Sequence, residues 1–156
     1  MIKKIILWIL VIFWMSLIFY FSSLNSTESS KQSKGFIYNT IVNIINFFDE
    51  DMNENEKEVI INKLNPIVRK LAHAAIYFIL GLLVYLLVNE YIIVNKKVLI
   101  ISLIVCLLYS ISDEVHQLFV KGRSGEIRDI LIDCLGYSTS IIIMHLLNRK
   151  KVISND

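Results

Sequence analysis

The side chains able to do chemistry gather in four short runs. They are Phe21-Ser22-Ser23, Arg69-Lys70-Leu71-Ala72-His73, Ser112-Asp113-Glu114-Val115-His116-Gln117 and Arg128-Asp129-Ile130-Leu131-Ile132-Asp133. Helical spacing places several of them on shared faces: Arg69 with His73 and then Tyr77, Asp113 with Gln117, and Asp129 with Asp133 and then Gly136. His116 sits three residues from Asp113. Glu114 is turned about 100° from Asp113 at 3.6 residues per turn, so the two carboxylates need not face one pocket. Three chemistries compete. In acid/base work, His73 or His116 moves a proton while Asp113 or Glu114 orients the ring or takes the proton itself. In anion binding, Arg69, Lys70, Arg123 and Arg128 grip a phosphate or carboxylate, with Gln117 and Asp129 completing the shell. In metal binding, the histidines and carboxylates are ligands, but no HExxH or similarly compact spacing occurs, and no metal is assigned. A plainer account is that Arg69, Lys70, Arg123 and Arg128 balance Asp113, Glu114, Asp129 and Asp133 and only fix helix register. Two histidines among so many ionisable groups weigh against it, because helix packing alone needs little more than small residues and an occasional hydrogen bond.

These runs lie at the ends of four apolar stretches, about 5–21, 71–88, 98–117 and 130–147, and an antiparallel bundle brings those ends into one layer. The chain has 156 residues, is 55% hydrophobic and has a mean hydropathy of +0.59, beyond the range of an ordinary soluble domain. A bilayer core needs roughly 20 apolar residues per helix. The third stretch reaches that length only by continuing to Gln117. Backbone in lipid must satisfy its own hydrogen bonds, so the reading is all-α: one integral membrane domain over residues 1–156, a bundle of four transmembrane helices. With one Pro and five Gly, there is little material for a turn-rich β-fold. A net charge of +2, with basic residues dispersed among acids, excludes a nucleic-acid partner and leaves membrane lipids. Cys106 and Cys134 each lie inside an apolar stretch and read as packing residues. So do Tyr77, Tyr85, Tyr109 and, near the opposite membrane face, His145.

The first stretch has a basic start like a signal peptide, but its apolar run is long and no A-x-A-like site follows, so it reads as an uncleaved helix. Lys3, Lys4, Lys96, Lys97, Arg149, Lys150 and Lys151 share one side, which predicts both termini in the cytoplasm and the polar layer on the outer face. The first extracytoplasmic loop is amphipathic and partly helical. Ser22 to Lys34 is polar and irregular. Phe36 to Phe48 either lies flat on the membrane or covers the bundle as a lid. Acids from Asp49 to Glu58 mark a solvated turn, and Val59 to Val68 leads into the second span, with Pro66 at a kink or in a first turn. The glycines in Phe119 to Glu126 suit a tight turn whose N–H groups could cradle an anion.

Taken in order, Phe21-Ser22-Ser23, Arg69-Lys70 with His73, Tyr77 and Gly81, then Ser-Asp-Glu-x-His-Gln-x-Phe-x-x-x-Arg over Ser112 to Arg123, then Asp129 and Gly136, resemble the VanZ-like family. The likeness runs from about residue 16 to 140. Leu24 stands where the family often has Gln, and Ala74 where an aromatic often follows the histidine. The resemblance implies a small helical protein of the bacterial plasma membrane, whose namesake is associated with teicoplanin resistance. It also implies site roles for Arg69, Lys70, His73, Asp113, Glu114, His116, Gln117, Arg123 and Asp129. It carries no assigned reaction and names no cofactor. The resulting expectation is an envelope protein that binds or modifies a lipid-linked cell-wall component and affects glycopeptide susceptibility. Two alternatives stay open: a small proton-coupled carrier, as an oligomer, with Asp133 its deepest acid, or an assembly partner without chemistry.

Overall fold

A computed structural model describes residues 1–24, 42–43, 53–123 and 125–153. Four helices follow one another: α1 (Ile2–Ser23), α2 (Glu54–Asn89), α3 (Asn95–Gln117) and α4 (Ile127–Ile153). Each contains a window long and apolar enough to cross a membrane. All four expected spans fall within them. Of the Phe36 to Phe48 stretch only Val42 and Asn43 are described, and Val42 packs against Ile61 of α2. The rest of that stretch, Asn25 to Lys34 and Asp49 to Asp51 lie outside the described residues.

Two expectations change. Ser22 and Ser23 are the last turn of α1 rather than the start of an irregular loop. Glu54 to Glu58, read as a solvated turn, are the first turns of α2, which continues without a break through Pro66 into the apolar span. Acids suit that position, because the helix N-terminus carries a partial positive charge. Pro66 costs one backbone hydrogen bond, and it sits before the apolar window begins.

The packing follows from two stripes. On α1 the buried positions are Leu7, Val11, Ile18 and Ser22, with Trp14 and Met15 filling the gap, which is one face of a helix. On α3 they are Val98, Ser102, Cys106, Ser110, Asp113, Glu114 and Gln117, a stripe that turns from apolar to polar along its length. Large apolar side chains such as Ile9, Phe13, Ile104, Leu108, Leu131 and Leu135 face outward, as hydrocarbon requires.

The most extensive contact joins α2 to α4, which run side by side in the same direction. Small residues permit it. Gly81 approaches Tyr137 and Ser140, and Gly136 approaches the backbone of Ala74. At one end, Asn148 of α4 donates to Asn89 of α2 (3.0 Å) and Asn95 of α3 (3.4 Å), while Lys3 of α1 pairs with Glu90. The Trp8 indole N–H donates to the Tyr91 hydroxyl at 3.0 Å, and Lys4 lies over the Tyr91 ring. This is the end of the chain termini. The opposite end holds the ionisable layer.

Candidate functional site

Asp113 is the hub of that layer. It is 2% exposed. Its Oδ2 accepts from the Ser22 hydroxyl of α1 (2.8 Å), the Tyr77 hydroxyl of α2 (3.4 Å) and the Gln117 amide one turn along α3 (3.2 Å). One carboxylate oxygen therefore ties three helices together. Its Oδ1 is buried without a hydrogen-bond partner.

Glu114 turns away from Asp113, as its helical offset requires, yet the two remain linked. The Gln117 amide also donates to Glu114 Oε1 at 3.2 Å, so one amide bridges both carboxylates. Glu114 Oε2 accepts the backbone N–H of Glu126 at 2.9 Å. The loop between α3 and α4 thus offers an N–H to an anion, as its sequence suggested, and the anion is the protein's own carboxylate. Gly122 takes a φ of 78° in this turn, a conformation that favours glycine.

Asp133 lies deeper and is fully buried. Its Oδ2 accepts from the Ser110 hydroxyl at 2.9 Å, and its Oδ1 lies 3.7 Å from Nδ1 of His73, an ion-pair distance too long for a hydrogen bond. His73, Asp133 and Ser110 bring α2, α4 and α3 together one turn below Asp113. His116 is held differently: its ring stacks on Phe19 of α1 with centroids 4.1 Å apart, and its Nε2 is buried without a hydrogen-bond partner.

Arg123, expected to hold a headgroup, also has a place within the fold: each of its three guanidinium nitrogens donates to a protein oxygen, Nε to the Leu24 carbonyl (3.0 Å), Nη2 to the Phe21 carbonyl (3.0 Å) and Nη1 to the Gln117 side chain (3.3 Å). The carbonyls at a helix C-terminus have no partner in their own helix, so a guanidinium placed there both bonds them and meets the negative end of the helix dipole. Replacing Arg123 with Ala should loosen the end of α1. At about 0.6 kcal/mol for an average interhelical bond in a membrane, and about 1.7 for the strongest, the loss should be about 2 kcal/mol. Arg123→Lys, which reaches fewer of these acceptors, should fall between. Melting of the purified chain in detergent reads the order; equal melting of all three would remove the latch.

The remaining expected residues surround this layer. Lys70 and Arg128 are exposed and Asp129 is partly exposed. Arg69 lies one turn before His73 on α2, and its side chain falls outside those described. Among the described residues, no group of three or more His, Cys, Asp or Glu side chains is placed to hold a metal ion.

Sequence reasoning underrated three residues. Tyr77 was read as packing, yet it donates to Asp113. Ser110 was not singled out, although Ser110, Asp113 and Gln117 follow helical spacing on α3. Asp133 was placed on a face with Asp129 and taken as the mark of a carrier, and it forms a second carboxylate centre beside His73.

A sequence profile of the family described as VanZ/LLP1 matches residues 7–148. No curated protein and no solved structure matches the chain.

Proposed function

This chain belongs to the VanZ/LLP1 family and is a multi-pass membrane protein, and from that premise we propose that it serves the bacterial cell envelope by binding or modifying a lipid-linked cell-wall component. The consequence is altered susceptibility to glycopeptides such as teicoplanin. One observation carries the reading: Asp113, Glu114 and Asp133 are all buried in one end of the bundle, and hydroxyls and amides of three helices converge on them. Three buried carboxylates kept together at membrane depth, with a histidine beside one of them, point to a working site.

In this reading, Arg69, Lys70 and Arg128 gather an anionic headgroup at the mouth of the site, with Asp129 beside them. Arg123 holds α1 in place and acts as a positioning residue. Gln117 couples Asp113 to Glu114. His73, oriented by Asp133, and His116 are the groups able to move a proton. With both termini in the cytoplasm, the site faces outward, where lipid-linked envelope intermediates are used.

The test is teicoplanin and vancomycin susceptibility in a sensitive Gram-positive host. It compares no protein, wild type, and Asp113→Asn, Glu114→Gln and His116→Ala at matched membrane abundance. Wild type should lower teicoplanin susceptibility severalfold, and the three substitutions should return it to the level of the empty host. Protection that survives all three would refute the assignment of the layer, and a wild type without effect would refute the envelope reading.

A further inference from the structure

The polar side chains do not stop at the site. Ser110 against Asp133, and Asn95 against Asn148, set α3 and α4 in antiparallel register from end to end. Gly81 against Ser140, and Asn89 against Asn148, set α2 and α4 in parallel register. Given these registers, the buried polar residues fall into levels. Asp133 and Ser110 form the first. Tyr137 follows one turn along α4. Ser102, two turns from Ser110, falls level with Ser140. Tyr85, midway between Gly81 and Asn89, falls level with His145. Asn89, Asn95 and Asn148 close the series at the far end. Successive levels are separated by about one helical turn, roughly 5 Å.

The middle of this file, from Asp133 to Tyr85, is buried, and His145 and the asparagines are half-buried. Asp133 and Ser102 are 0% exposed, Ser140 and Tyr85 1%, and Tyr137 2%. Four of its polar atoms, Asp133 Oδ1, Ser102 Oγ, Tyr85 Oη and His145 Nδ1, are buried without a hydrogen-bond partner. A hydroxyl in an apolar core without a partner costs about 1–3 kcal/mol, so two of them, between an unpartnered carboxylate oxygen and an unpartnered imidazole nitrogen, are not how a core built only for packing is filled. Packing would have been served by Ala at Ser102 and Phe at Tyr85. Hydroxyls and imidazole both donate and accept, and one water making two hydrogen bonds of about 2.8 Å reaches over about 5 Å, the rise from one level to the next.

We propose that this file is a proton path joining the ionisable layer to the end of the bundle that carries the chain termini. The proton enters at Asp133 and His73, passes through hydroxyls and bridging waters at the Tyr137, Ser102/Ser140 and Tyr85 levels, and leaves by His145 to waters held by the asparagines. No bond other than those to hydrogen changes. The inference goes beyond the envelope reading and does not depend on it, since it is measured in vesicles that contain no lipid-linked precursor.

The experiment reconstitutes the full chain in vesicles of phosphatidylcholine and phosphatidylglycerol that hold a trapped pH-sensitive dye. An outward potassium gradient with valinomycin sets the interior negative. Wild type should acidify the interior severalfold faster than protein-free vesicles. Ser102→Ala with Tyr85→Phe should return the rate to the protein-free level, and Asp133→Asn should do the same. Ser16→Ala, which removes a hydroxyl on the exposed face of α1, should keep the wild-type rate. The Ser102→Ala/Tyr85→Phe variant removes hydroxyls that lack partners, so its melting temperature in detergent should hold or rise, which separates loss of flux from loss of fold. A wild-type rate equal to that of protein-free vesicles would overturn the proposal. So would a rate unchanged by the double substitution.

Discussion

Gly136→Ala should destabilise the bundle by about 3 kcal/mol, at the upper end of what overpacking costs. The reason is that the obstacle is backbone. A Cβ built at Gly136 overlaps the carbonyl oxygen of Ala74 and lies 3.0 Å from its carbonyl carbon and 3.1 Å from its Cα. A side chain could rotate aside, but a carbonyl in the middle of α2 cannot. The two helices must separate, and the seam they share must open with them. One turn along, a Cβ at Gly81 would stand 2.7 Å from the Tyr137 carbonyl oxygen, so the seam is equally close there. On the other side lies the His73–Asp133 pair, which joins the same two helices at 3.7 Å. Separation should therefore lower stability and pull this pair apart at once. Thermal melting and size-exclusion profiles in detergent measure the first effect, with Ser138→Ala on the same helix as the reference. A monodisperse Gly136→Ala chain that melts with wild type would mean that α2 and α4 are not in backbone contact.

At Asp113, the fate of the fold should depend on whether an acceptor remains. Asp113→Ala leaves the Ser22 and Tyr77 hydroxyls facing an apolar gap, while Gln117 retains Glu114 as a partner. At about 1–3 kcal/mol for each of the two stranded hydroxyls, the expected loss is about 2–6 kcal/mol. Asp113→Asn keeps an oxygen in the place of Oδ2 and should melt close to wild type, even though it removes the charge on which the proposed function depends. The two variants therefore separate structure from chemistry at one position. Melting curves for Ala and Asn that superimpose would show that the three hydrogen bonds do not hold α1 to α2 and α3.

The apolar lengths alone located all four spans, and the gathering of charge at one set of helix ends located the layer. Both are properties of sequence order and of antiparallel connection, so they survive without knowledge of packing. What escaped depended on three helices meeting. Nothing local to Tyr77 distinguishes a packing tyrosine from one whose hydroxyl reaches a carboxylate on another helix. The pairing of Ser110 with Asp133 needs the register of α3 against α4, which no motif encodes. Arg123 drew notice as one of the basic residues able to grip an anion; that it also bonds the carbonyls at the end of α1, 99 and 102 residues away, no local pattern shows. The start of α2 was missed for a different reason: Asn and Glu in a run look like a solvated turn, and the same residues are favourable in the first turn of a helix.

That distance along the chain has a bearing on biogenesis. Chains are made from the N-terminus, so α1 enters the membrane long before the loop that carries Arg123 exists. Until then its last carbonyls lack the guanidinium that they meet in the finished protein. A chain that stalls before the α3–α4 loop could already hold Ser22 against Asp113, yet the carbonyls of Phe21 and Leu24 would still lack Arg123. Completion of the first helix is therefore coupled to synthesis of the last. Incomplete chains should differ from finished ones at the end of the bundle where the ionisable layer forms, which gives membrane quality control a local signature to act on.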